Sequence, residues 1–135
     1  MTLTRTTPPR PFVPDPRAVP GSVPAIVDAA FYRLRVQLNA ARDWPPVAPL
    51  DRAARADRLA VLHDRAARWW EVLYRHTSSA VPFLYVRAAG RAADDQREQA
   101  RFWRETASDW RARAEQRPTS DAAGALSNWA ELGVA

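Results

Sequence analysis

Between Pro49 and Pro118 the chain has one proline, Pro82, and one glycine, Gly90. With so few breakers, helix is the conformation this stretch is best suited to. Its apolar and charged residues also repeat in one register of threes and fours. The expectation is an all-α, antiparallel three- to four-helix bundle with coiled-coil-like seams, behind an extended Pro-rich N-terminal tail. Residues 1–21 would form the tail and residues 22–135 the bundle.

Ser22 is a good N-cap for a first helix over 23–43, with Pro24 tolerated in the first turn. Val27, Phe31, Leu34, Leu38 and Ala41 share one face, and Trp44-Pro45-Pro46 should stop the helix. A second helix over 51–77 carries Leu59, Leu62, Ala66, Trp69, Leu73 and His76 at 3-4-3-4-3 spacing. Asp57, Asp64 and Glu71 sit seven apart, on the far side from that seam. Asp51–Arg55, Asp64–Arg68 and Glu71–Arg75 are in the favourable order for pairs within the helix.

A third helix over 80–117 should be capped by Ser78 or Ser79; it is either continuous over nearly 40 residues or kinked or broken at Gly90. Its inward stripe is Tyr85, Ala89, Ala92, Gln96, Trp103, Ala107, Trp110 and Ala114. A short fourth helix over 121–132 starts after Ser120, turns Leu126, Trp129 and Leu132 inward, and stops at Gly133.

Isoleucine, leucine, valine and phenylalanine number only 26 of 135 residues, so 27 alanines and 6 tryptophans must supply much of the core. So thin a core favours association with a partner or a second copy. Six prolines within the first 20 residues make that segment extended, and its Pro11-Phe12-Val13-Pro14 is a bare PxxP pattern. All 20 basic residues other than histidine are arginine. That choice, with abundant Ala, Pro and Gly, reads as the codon bias of a GC-rich, bacterial genome. There is no cysteine, no membrane-length apolar run and no secretory leader pattern, so a cytoplasmic protein is expected.

The net charge of +5 is spread along the chain rather than concentrated in a basic block. The densest cationic feature is a ridge of Arg97, Arg101, Arg104 and Arg111 on the third helix, a possible anion or nucleic-acid contact. Asp94, Glu98, Glu105 and Asp109 occupy the adjoining arc, and pairing within the helix explains the same residues without a ligand. Trp69, Trp70, Trp103 and Trp110 are the candidate partner-binding residues. Trp70 lies beside the seam rather than in it, so core and interface are both open to it.

His63 and His76 are 13 apart and lack the paired Glu-x-x-His motifs of a di-iron bundle, so neither a metal nor a cofactor is expected. Arg58-Leu-Ala-Val-Leu-His63 fits the loose Arg-x4-His pattern of the small helical ribonucleases called HEPN domains. Leu59 stands where that family usually has a polar residue, and on one helix the two side chains point about 140° apart. No membership is read from those six residues, and no P-loop, Rossmann or nucleophile-elbow motif occurs.

The expected function is therefore non-enzymatic. A small helical accessory, adaptor or regulatory subunit would bind a partner helix, or itself, through Trp-bearing seams. A nucleic-acid accessory protein using the arginine ridge is the alternative, and a helical ribonuclease ranks third.

Overall fold

The computed structural model describes Pro11, Val13, residues 19–76 and residues 82–121. Within them the chain forms three helices and no strand: α1 (Val23–Asp43), α2 (Pro49–His76) and α3 (Phe83–Ala114). Most of the expected tail, the Ser78 and Ser79 caps and nearly all of the expected fourth helix lie outside the described residues.

The start of α1 follows its sequence signals. Ser22 is extended at ψ 155°, and its hydroxyl accepts the Ala25 N–H at 3.4 Å. Trp44, extended at ψ 119° before Pro45, ends the helix. Helix α2 starts at Pro49, two residues before the expected Asp51, because proline suits a first helical position. The Asp51 carboxylate reaches back to accept the Ala48 N–H at 3.1 Å, so it caps the helix and does not pair with Arg55. Arg55 instead donates to the carbonyls of Arg42 and Trp44 at 3.5 and 3.3 Å, tying the end of α1 to the start of α2.

Helix α3 departs from expectation at both ends. It begins at Phe83 rather than residue 80, ends at Ala114 rather than residue 117, and runs unbroken through Gly90. Its 32 residues span about 48 Å. The Tyr74 ring lies against α3 at Gly90, where an added Cβ would sit in ordinary contact with it at 3.5 Å. The helix stops in a Schellman turn. Gln116 is left-handed at φ 56°, its N–H donates to Arg113 O, and the Arg117 N–H donates to Ala112 O at 2.7 Å.

Helix α2 is the centre of the bundle, with α3 packed along one face and α1 on another. Toward α1 it presents the expected seam: Leu59, Leu62 and Ala66 are buried against Leu34 and Ala41, with Phe31, Leu38, Trp69 and Trp103 closing the cluster. His76, expected in that seam, is exposed at the last turn of α2. Toward α3, α2 presents a second stripe of Ala53, Ala56, Ala60, His63 and Ala67, all buried. The buried residues of α3 are also all alanine: Ala89, Ala93, Ala100, Ala107 and Ala112. Of its expected stripe, Tyr85 and Ala114 are exposed, while the buried Ala93, Ala100 and Ala112 lie outside that stripe. Small side chains on both faces let the two helices approach closely.

Opposite charges fix how those helices align. Glu71 pairs with Arg97, Asp64 with Arg104 and Asp57 with Arg111, one pair per heptad. The residue numbers of each pair have the same sum, as an antiparallel register requires. The acidic stripe of α2 therefore lies beside α3 and not on a free far side. Its carboxylates reach α3, so the pairs Asp64–Arg68 and Glu71–Arg75 do not form. Within α3 the Asp94–Arg97 pair does form, at 2.7 Å, while Glu98–Arg101 and Arg101–Glu105 do not.

Candidate interaction site

All four candidate tryptophans are half-buried and have partners inside the chain. Trp69 and Trp103 pack on the apolar cluster, and Trp103 also meets Phe102 edge-on at 5.1 Å between ring centres. Trp70 lies 4.5 Å from Phe31, so it packs between α2 and α1. Trp110 is covered by two guanidinium groups, Arg52 of α2 at 4.7 Å and Arg113 at 4.6 Å.

The α3 arginine ridge is likewise occupied. Arg97, Arg104 and Arg111 belong to the inter-helix pairs, which leaves Arg101 as its exposed member with no ion pair among the described residues. Four more arginines without an ion pair among the described residues lie close together on α2. Because Asp64 and Glu71 are drawn to α3, Arg68 and Arg75 lose their expected partners, and Arg58 and Arg65 share the same solvent stripe. No sequence rule marks this stripe, since spacing alone assigns those carboxylates equally well to their own helix.

His63 and Arg58 do not form a joint site. His63 is 4% exposed, against α3, with Nδ1 2.7 Å from Gln96 Oε1; Arg58 lies on the solvent stripe. His63 Nε2 and Trp103 Nε1 are both buried without a partner. Among the described residues no three His, Asp or Glu side chains gather as metal ligands would.

The first turn of α3 exposes three large side chains in succession: Phe83, Leu84 and Tyr85 are 73%, 74% and 64% exposed. Tyr74 faces Gly90, so the last turn of α2 lies level with the second and third turns of α3. The first turn of α3 projects beyond it, and at about 100° per residue these three side chains point to three sides of the helix.

Beyond the Schellman turn the chain folds back onto α3. Ser120 donates its N–H to Asp109 Oδ1 at 2.8 Å and its hydroxyl to Asp109 Oδ2 at 2.7 Å, and a helical segment starts at Ser120 and Asp121. The backbone bond, then the hydroxyl bond, and to a smaller extent nearby Arg113 hold the Asp109 pKa below the ordinary carboxylate range; partial desolvation opposes them. A lowered folded pKa stabilises the tether above the unfolded value of about 4, and that stability is lost as pH falls through the folded pKa. The Ser120 amide resonance should therefore shift with pH with a midpoint below the ordinary Asp value of about 4. Movement already centred near pH 4 to 5 would show that the two bonds do not persist in solution.

Among the described residues no helix is long and apolar enough to cross a membrane. The chain matches no family model, and no curated protein or solved structure is similar to it.

Proposed function

We propose that this chain is a non-enzymatic helical interaction protein, an accessory, adaptor or regulatory subunit of a bacterial cytoplasm. The observation that carries this reading is the first turn of α3, apolar on all sides and projecting past the end of α2. Phe83, Leu84 and Tyr85 there form the kind of patch that a binding partner covers. The four tryptophans lie further along the bundle, where they pack the hairpin and α1 together and, half-buried, add to the surface open to a partner. Nucleic-acid binding through the α3 ridge ranks lower, because three of its four guanidinium groups already hold carboxylates.

In the same reading residues 122–135 complete a four-helix arrangement, supported by the helical start at Ser120 and its anchorage to Asp109. Residues 1–18 serve as an extended leader, supported by five of the chain's prolines.

The test compares affinity capture from the source cell by the parent chain and by Phe83→Ser/Leu84→Ser. Both positions are exposed, so helix content by circular dichroism should not change. A partner held by the parent should be lost from the variant. Equal capture by both, or no partner with either, would remove the apolar turn as the binding surface.

A further inference from the structure

The two outer edges of the α2–α3 hairpin carry opposite charges at matching spacing. On α2, a third arc lies between the residues facing α1 and those facing α3, and Arg58, Val61, Arg65, Arg68, Val72 and Arg75 span it within about 100°, Arg58 bordering the groove with α1 and Arg75 the groove with α3. All six are exposed, and none of the four arginines has an ion pair among the described residues. On α3, the edge turned away from α2 holds Asp95, Glu98, Phe102 and Glu105, again all exposed, with Phe102 at 54%. Glu98 and Glu105 have no ion pair among the described residues, and Asp95 meets Arg91 of its own helix at 3.1 Å.

We propose that a second copy of this chain docks here, the acidic edge of its α3 lying antiparallel along the arginine edge of α2. Counting up α2, Arg58, Val61, Arg65 and Arg68 are spaced 3-4-3. Counting down α3, Glu105, Phe102, Glu98 and Asp95 are also spaced 3-4-3. Laid antiparallel, they give Arg58 to Glu105, Val61 to Phe102, Arg65 to Glu98 and Arg68 to Asp95. Three charge pairs thus flank one apolar contact over about 15 Å. A nucleic-acid strand would leave Val61 and Val72 without a role, and the α2 stripe has no aromatic ring on which a base would stack.

The two edges lie on opposite sides of the hairpin, so each copy offers one and receives the other. Such a contact is heterologous and continues from copy to copy until a ring closes. It is also small and ionic, hence weak and salt-sensitive. The inference rests on the reading that the chain works by association, but it uses none of the residues of the apolar turn.

Sedimentation velocity over a concentration series tests it. At low salt the parent should rise above the 15.2 kDa monomer mass with concentration, and return to monomer near 1 M salt, where the screening length is about 3 Å. Arg58→Glu/Arg65→Glu alone and Glu98→Arg/Glu105→Arg alone should each associate at least about tenfold more weakly. Mixed together they should associate again, because each supplies the edge the other lacks. All four positions are exposed, and helix content checks folding; Arg58→Gln/Arg65→Gln serves if the reversals disturb it.

A parent that stays monomeric at low salt, or a mixture that does not recover association, overturns the proposal. So does duplex DNA binding that Arg58→Glu/Arg65→Glu abolishes in a monomeric parent, since the edge would then serve phosphate. Association lost in Phe83→Ser/Leu84→Ser but kept in the edge variants also overturns it, while leaving the reading of the apolar turn intact.

Discussion

Leu59→Ala should lower the unfolding free energy by about 2–5 kcal/mol. Leu59 is fully buried where α2 meets α1, and truncation leaves a cavity that the neighbouring alanines cannot fill. The expected loss is large because the aliphatic core is sparse. Apart from alanine, the buried apolar residues among those described are Val27, Leu34, Leu59 and Leu62. A domain of ordinary stability, about 5–15 kcal/mol, would lose a large share of it. Urea denaturation followed by circular dichroism should show a lower midpoint with an unchanged slope. A loss under about 1 kcal/mol would mean that α1 does not hold this cluster closed.

Ala100→Leu should destabilise by about 1–3 kcal/mol, although leucine is larger and more apolar. Ala100 is fully buried on α3, on the alanine face that packs against α2, so the added carbons have no space unless the helices separate. Separation would also stretch the His63–Gln96 bond and the three charge pairs on the same side of the hairpin. Ala88→Leu is the control, since Ala88 is exposed on the same helix and the change there should stay within about 0.5 kcal/mol. If Ala100→Leu proves neutral or stabilising, the α2–α3 contact is loose at that level.

Where periodicity and capping chemistry act locally, the sequence was a good guide. Ser22, Trp44, the α1 stripe and the Leu59–Trp69 seam all sit as expected. Alanine was harder to read because it is equally at home in solvent and in a close helix contact. Ala93 and Ala100 therefore gave no signal, although they are among the most buried residues of α3. Helix ends failed for a similar reason: Gln116 adopts a left-handed conformation that is usually reserved for glycine. The arginine ridge failed in a different way. Spacing shows which side of a helix a charge occupies but not which helix will answer it, so the ridge reads as an anion contact or as paired within α3, and the carboxylates of α2 that hold Arg97, Arg104 and Arg111 are not foreseen. Once α3 takes up Asp64 and Glu71, Arg68 and Arg75 of α2 lose the partners their spacing assigns them. The apolar turn of α3 was legible as residues but not as exposure, because only the level at which α2 ends leaves Phe83, Leu84 and Tyr85 uncovered.

The ladder of Asp57, Asp64 and Glu71 against Arg111, Arg104 and Arg97 specifies direction and alignment, but it does not specify ownership. An α3 from an identical molecule would meet the same carboxylates at the same levels, and the same alanine face. Contact energy therefore cannot distinguish a hairpin closed on itself from two molecules that have traded arms. What favours the closed form is proximity. Residues 77–82 are all that separate the two helices, and so short a connection keeps each α3 at a local concentration in the millimolar range or above. Refolding from denaturant at protein concentrations approaching that range should allow arm-exchanged dimers to form alongside the hairpin. Diluting the finished dimers would release them only as fast as whole hairpins unfold.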